Sequence, residues 1–79
     1  MNIIPPGQQS GVFPPHPKET KEYIAVASGT LRVVLGEHHY DLHEGDSLYY
    51  DAACEHQFIN TGKEECRYYL IIHSPASKT

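Results

Sequence analysis

The feature that most constrains the fold is a regular succession of short apolar segments separated by turn signals, within a chain of only 79 residues. Segments such as EYIAVAS and TLRVVL are rich in β-branched and aromatic residues, and stretches such as SG, GEHH and HEGD lie between them. This pattern predicts β-strands joined by turns, and no stretch has the apolar repeat of a helix. The predicted strands span residues 22–28, 30–35, 38–42, 47–51, 56–60 and 65–73.

Strands that recur about every 8–12 residues are typical of an all-β sandwich or barrel. Two proline-rich stretches, IIPPGQQSG and FPPHPK, precede these strands. Because proline cannot donate a backbone hydrogen bond, such stretches fit extended segments or edge strands rather than central strands. The sequence therefore predicts a single all-β domain with an irregular or edge-forming N-terminal part.

Charge and hydropathy exclude several classes of function. The chain has 10 acidic and 6 basic residues, a net charge of -4, and its cations are scattered. Nucleic-acid binding needs clustered positive charge, so DNA binding by this chain alone is disfavoured. No apolar run approaches the roughly 18 residues of a membrane helix, and the N-terminus MNIIPPGQQ does not resemble a signal peptide. We expect a cytoplasmic protein that makes no membrane contact.

The two cysteines are expected to be reduced thiols. Cys54 and Cys66 have no CxxC spacing for structural zinc and are too few for a disulfide framework. A disulfide between them is the alternative if the protein is exported or oxidised.

A glutamate at the head of a predicted buried strand needs a physical explanation. In EYIAVAS, alternation places Glu22, Ile24 and Val26 on the face with branched aliphatic side chains, which is the predicted interior. The same test on EHQFIN places His56 and Phe58 inside. A buried carboxylate requires a cation, a metal or hydrogen-bond donors. We therefore expect Glu22 to lie at the mouth of a barrel, among polar partners.

Adjacent tyrosines on the predicted strands must point to opposite faces. Strand parity favours Tyr50 and Tyr69 as the inward members of their pairs. An inward tyrosine presents a polar hydroxyl that can contact a ligand, and the alternative is that both rings only fill the core.

The first of two motif-like blocks resembles the first cupin motif. Gly11, His16, Glu22 and Gly29 fall on its glycine, histidine, glutamate and glycine. The interval from Glu22 to Gly29 fits, and the spacing from Gly11 to His16 is one residue short.

The second block resembles the second cupin motif. Gly45-Asp46, His56 and Asn60 fall on its glycine, histidine and asparagine, whereas Asp51 and Ala53 stand where the motif has proline and glycine. The two blocks occur in the order that cupins have.

Residues 16–75 are similar to the C-terminal cupin domain of bacterial transcriptional regulators that carry an Xre-type helix-turn-helix at the N-terminus. The resemblance rests on HP with a glutamate six residues after the histidine, and on SGTLRVVLG, EGDSLYYDA and YLIIHSP. It implies a small double-stranded β-helix, or jelly-roll barrel, over residues 1–79, with an extended segment at 1–15 and the cupin core at 16–75. It also implies a small-molecule effector inside the barrel, and DNA contacts only through a helix-turn-helix domain absent from this chain.

The resemblance implies a metal site with one departure. Cupin metals are usually held by three histidines and a glutamate, and the matching residues here are His16, Lys18, Glu22 and His56. Without the ligand that Lys18 replaces, the other three residues can still hold Zn, Ni, Mn or Fe. Alternatively, Lys18 pairs with Glu22 and no metal is needed. In both cases we expect a ligand pocket formed by His16, Lys18, Glu22, Tyr50, His56, Phe58 and Tyr69.

Two classes of function remain. One is the ligand-sensing module of a transcriptional regulator, and the other is a stand-alone metal-dependent cupin enzyme such as a dioxygenase or isomerase. Such enzymes generally need a complete ligand set and more strands, so we favour the sensing module and expect no catalysis. Because a core of this size seldom supplies more than ~3–5 kcal/mol, we also expect a homodimer that covers an edge strand or an apolar sheet face.

Overall fold

The protein folds into two four-stranded antiparallel sheets, as seen in a computed structural model that describes residues 1–74. The strands are β1 (Asn2–Ile4), β2 (Gln9–Phe13), β3 (Lys21–Ser28), β4 (Thr30–Leu35), β5 (His38–His43), β6 (Ser47–Asp51), β7 (His56–Ile59) and β8 (Cys66–His73). Their order is β1-β8-β3-β6 in the first sheet and β2-β7-β4-β5 in the second. The all-β prediction is confirmed, and the last residue of the predicted core, Pro75, lies outside the described residues.

The six predicted strands correspond to β3 through β8, with ends that differ by at most one residue. The first proline-rich stretch contributes residues to β1 and β2, each an edge strand of its sheet, and the second leaves β2 after Phe13 and connects it to β3. This confirms the positional argument, because an edge strand leaves one row of backbone groups unpaired and tolerates proline beside it. Across residues 1–74, no helix is long and apolar enough to cross a membrane.

The core lies between the two sheets and is built from alternate strand residues. On β3, Glu22, Ile24 and Val26 are buried, as predicted, and on β7 His56 and Phe58 are buried. The buried apolar residues are Ile4, Ile24, Val26, Leu31, Val33, Leu42, Tyr50, Ala52, Phe58, Cys66 and Tyr68. Both Cys54 and Cys66 are free thiols, as expected.

The inward orientation predicted for Tyr50 is confirmed, and the one predicted for Tyr69 is wrong. Tyr69 is 49% exposed, whereas Tyr68 is buried and packs edge-on against Phe58 with ring centroids 5.6 Å apart. The register of β8 against β3 explains the difference. Tyr68 lies opposite Val26, which points inward, and cross-strand partners share a face of the sheet.

A buried asparagine holds together the loop that precedes β8. The Asn60 Nδ2 atom donates hydrogen bonds to the Ile4 carbonyl at 2.9 Å and the Glu64 carbonyl at 2.8 Å, and its Oδ1 accepts one from the Gly62 N–H at 2.8 Å. The side chain therefore joins β1 to the 60–65 loop. The Asn60 side chain itself is buried, and loss of its amide would leave the buried Ile4 carbonyl without this donor.

We predict that Asn60→Ala lowers the free energy of unfolding by about 3 kcal/mol, since it removes three hydrogen bonds worth about 1 kcal/mol each. Urea unfolding monitored by circular dichroism measures the change. Gln57→Ala is the matched control, because this half-buried amide on β7 forms no side-chain hydrogen bond within residues 1–74. Equal stability of the two variants would contradict the role assigned to Asn60.

Candidate ligand and metal site

Three polar side chains from separate parts of the chain meet between the sheets. Glu22 comes from β3 in the first sheet, His56 begins β7 in the second, and His16 lies in the connection from β2 to β3. The His16 backbone N–H donates to the Ala52 carbonyl at 2.9 Å, which ties this connection to the residue after β6. The fold therefore brings together the three residues that the sequence predicted as metal ligands.

The Glu22 carboxylate is almost fully buried and has a partner on each oxygen. Its Oε2 atom lies 3.1 Å from His16 Nε2 and 3.4 Å from His56 Nε2. Its Oε1 atom accepts a 2.5 Å hydrogen bond from the Tyr50 hydroxyl. Burial, and then the hydrogen bond to Glu22, raises the pKa of the Tyr50 hydroxyl well above its usual range. Tyr50 therefore remains the proton donor of this pair.

The ring of His56 is oriented by a backbone carbonyl. Its Nδ1 atom lies 2.9 Å from the Cys54 oxygen, and because a carbonyl only accepts, Nδ1 carries the proton. In the neutral ring, Nε2 then presents a lone pair toward a carboxylate oxygen of Glu22. Two lone pairs that face each other require a positive charge between them, either a proton or a metal ion. Such second-shell orientation is typical of a histidine that binds metal.

The two distances that join the histidines to Glu22 are compatible with a divalent transition metal. Two ligands bound to one tetrahedral ion at about 2.1 Å lie about 3.4 Å apart. The two histidine–Glu22 distances, 3.1 and 3.4 Å, are close to this value, and all three ligand atoms lie within 4.8 Å of one another. Two imidazole nitrogens and a carboxylate oxygen suit Zn, Mn, Fe or Ni. The cluster could hold a metal and leave positions open for another ligand.

The three residues line one side of a cavity of about 140 Å³ whose other walls are apolar. Phe13 stacks on the His56 ring with centroids 5.4 Å apart. The exposed side chains of Phe13 and Ile72 lie at its mouth, and His16 is 35% exposed there. The complete lining is Phe13, His16, Glu22, His56, Phe58, Leu70 and Ile72. The arrangement offers one polar point in an otherwise apolar recess.

Of the seven predicted pocket residues, His16, Glu22, His56 and Phe58 line this cavity, and Tyr50 lies behind Glu22. Lys18 is exposed in the turn after His16, and among residues 1–74 no salt bridge joins it to Glu22. The alternative in which Lys18 neutralises Glu22 is therefore not formed. Tyr69 lies on the opposite side of its sheet, so it is not a cavity residue.

Sequence reasoning missed Phe13, Leu70 and Ile72 as cavity residues. Phe13 follows from nothing in the pattern, because it ends an edge strand in a proline-rich stretch. Leu70 and Ile72 share the parity of Tyr68, so a correct assignment of that tyrosine would have found both.

The family described as Cupin domain matches residues 1–72 of the chain. The chain belongs to the cupin family. The fold class implied by the resemblance, a small cupin barrel, is therefore confirmed. No protein with a curated description matches this cupin.

Several solved structures share the fold of this cupin. The Cupin_2 domain of an XRE family transcriptional regulator from Enterobacter cloacae is 23% identical, with a TM-score of 0.86 over 94% of this chain and 77% of that chain. An HTH-family transcriptional regulator from Vibrio cholerae is 22% identical, with a TM-score of 0.84 over 94% of this chain and 40% of that one. A predicted oxalate decarboxylase from Thermotoga maritima is 20% identical, with a TM-score of 0.76 over 89% and 59%.

We predict that Tyr50→Phe destabilises the protein by about 1.5–3 kcal/mol, because it leaves a buried carboxylate oxygen of Glu22 without its donor. Chemical denaturation of metal-free protein measures this cost. Tyr49→Phe is the control on the same strand, since Tyr49 is 62% exposed and its loss of a hydroxyl should change stability by less than about 0.5 kcal/mol. Similar values for both variants would contradict the donor role of Tyr50.

Proposed function

We propose that this cupin chain is the small-molecule-sensing domain of a bacterial transcriptional regulator and works in the cytoplasm. The observation that supports the proposal most is the apolar cavity that converges on His16, Glu22 and His56. The fold is shared with domains of transcriptional regulators, which adds to this support. DNA contacts would be made by a helix-turn-helix domain outside these 79 residues.

The cavity indicates the kind of effector. Its volume of about 140 Å³ is small for a ligand site, since pockets for drug-sized molecules hold about 300–1,000 Å³. The effector would be a small organic molecule, with an apolar part against Phe13 and Phe58 and a polar group near Glu22. A divalent metal held by His16, Glu22 and His56 would supply a Lewis acid that binds an anionic or carbonyl oxygen.

Sensing requires that the effector prefers one of two states of the domain. A ligand that contacts β3, β7 and β8 at once binds both sheets, so it can favour one spacing of the sheets over another. That preference can change the operator affinity of the linked domain, by at most the free energy by which the effector prefers one state. A homodimer is part of this proposal, because a two-fold regulator presents two DNA-binding domains to two half-sites.

A metal-dependent cupin enzyme, such as a dioxygenase or isomerase, is the second candidate. The open coordination positions of a three-ligand site and the likeness to a predicted oxalate decarboxylase favour it. Proton transfer in such an enzyme needs a general acid or base beside the substrate. Among the described residues that line the cavity, only His16, Glu22 and His56 titrate, and these are the proposed ligands. This chemistry favours binding over catalysis.

The metal is tested by elemental analysis of protein purified without a chelator or a polyhistidine tag. We expect near one equivalent, and binding that weakens as the pH falls through about 6.5, where free histidine takes up a proton. His56→Ala should lose the metal, whereas the control His39→Ala removes an exposed histidine of β5 and should retain it. Less than about a tenth of an equivalent, even after Zn, Ni or Mn is added, would exclude a resident metal.

The regulator assignment is tested on DNA. Because the chain is acidic and residues 1–74 form no recognition helix, the 79 residues alone should not retard an operator fragment. A polypeptide that joins this cupin to its helix-turn-helix should bind the operator in a gel-shift titration, and the effector should change its affinity. Specific binding by the 79 residues would contradict the assignment. Turnover of oxalate by the metal-loaded chain, followed by NMR, would favour the enzyme instead.

A further inference from the structure

The two sheets differ sharply on their outer faces. On the second sheet the outward apolar residues Val12, Val34 and Ile59 alternate with polar ones, no tyrosine is among them, and the Arg32 side chain pairs with Asp41 across β4 and β5. This is the usual arrangement of an antiparallel sheet, with one face in the core and the other in water. The first sheet departs from it. Its outward large apolar residues, here called the tyrosine face, are Ile3, Tyr23, Tyr49, Tyr69 and Ile71.

The tyrosine face is continuous because its members are neighbours in the strand register. Tyr23 on β3 pairs with Ile71 on β8 and with Tyr49 on β6, so these three form one row across three strands. Tyr69 lies in the adjacent row, opposite Ala25. The small side chain of Ala25 leaves a depression between the larger ones. These residues therefore form one contiguous apolar surface of uneven height, and they are not isolated exposed residues.

The exposed area of the tyrosine face is similar to the apolar part of a standard dimer interface. Tyr23, Tyr49 and Tyr69 are 39%, 62% and 49% exposed. With about 200 Å² for a whole tyrosine, these three residues leave about 300 Å² of surface in water, and Ile3 and Ile71 raise the total to about 500 Å². A standard interface buries about 800 Å² per partner, and about 65% of a homodimer interface is apolar, which is also about 500 Å².

The charges around the tyrosine face permit contact with an identical surface. At one end Lys21 forms a salt bridge with Asp51, and at the other Arg67 forms one with Glu65. The face therefore carries two cations and two carboxylates, although the whole chain has a net charge of -4. A second copy meets no net repulsion there, whereas a strongly basic or acidic partner gains no attraction.

We infer that the tyrosine face is the interface between two copies of this chain, packed sheet against sheet around a two-fold axis. Tyrosine suits this role, because it supplies large, rigid contact area and a hydroxyl that remains hydrogen-bonded at the rim. Of the two surfaces that a homodimer of this chain was expected to cover, the interface is then the apolar sheet face and not an edge strand. The inference rests on the homodimer of the proposed function, but not on its effector or metal.

The test is sedimentation velocity of the complete chain at about 10 µM and above. Wild-type protein should sediment as a dimer, and Tyr49→Glu should weaken dimerisation by at least about 30-fold, because it places an unpaired carboxylate in the interface. Val12→Glu is the matched control. Val12 is an outward apolar residue on an edge strand of the other sheet, 60% exposed against 62% for Tyr49, and this variant should remain a dimer.

Each outcome decides the inference. A wild-type monomer, or a Tyr49→Glu variant as dimeric as wild type, overturns it, and so does loss of the dimer in Val12→Glu. A wild-type monomer would leave the tyrosine face to another domain of a longer polypeptide. If Tyr49→Glu does not fold, hydroxyl-radical footprinting of wild type replaces it. Labelling of Tyr23 and Tyr69 should then fall as protein concentration rises, while labelling of Tyr40 stays constant, and unchanged labelling of all three overturns the inference.

Metal content measured on the same samples separates this inference from the function proposed above. A monomer with a full equivalent of metal would refute the interface alone. A metal-free dimer that dissociates with Tyr49→Glu would leave the interface intact and count against the metal site.

Discussion

The burial of one carboxylate shapes the rest of this structure. Glu22 points into the core from a central strand, where an unpaired charge would cost far more than a domain of this size can supply. The fold stabilises the carboxylate with a hydrogen-bond donor on one oxygen, Tyr50, and two imidazoles beside the other oxygen. These partners come from β6, β7 and the connection before β3, so satisfying the charge also fixes how the two sheets meet.

The requirement that makes Glu22 tolerable also makes it useful. A structural pair would need only enough donors to neutralise the charge, and Tyr50 with one histidine would supply them. Here the second histidine, His56, is turned by the Cys54 carbonyl so that its free nitrogen faces the carboxylate. Because the lone pairs of this nitrogen and of the carboxylate face each other, a proton or a metal ion must lie between them. Apolar walls border the side of the cluster where another molecule can enter, and a molecule that fills the cavity would displace water and strengthen any charge interaction inside.

Much of the fold was predictable because most strands have one wet face and one dry face. For that reason the period-two pattern of Glu22, Ile24 and Val26 is visible in the sequence, and it predicts the position of the buried carboxylate. The strand CRYYLIIH carries no such pattern, since its outer face is also apolar. Tyr68 and Tyr69 therefore could not be told apart by type, and only their register against β3 assigns them. The place of Phe13 in the cavity could not be predicted for another reason, because it depends on the pairing of β2 with the distant strand β7.

The sheet that separates the cavity from the tyrosine face is a single layer. Neighbouring residues of β3, Glu22 and Tyr23, point to opposite sides, and so do Ile72 and Ile71 on β8. A shift of the backbone at Glu22 or Ile72 would therefore also move the neighbouring side chains on the outer face. If a second copy packs there and binding shifts these side chains, the two events are coupled, and each changes the free energy of the other by the same amount. Effector affinity would then depend on protein concentration. The effector concentration at which the protein responds would therefore vary with the amount of the protein in the cell.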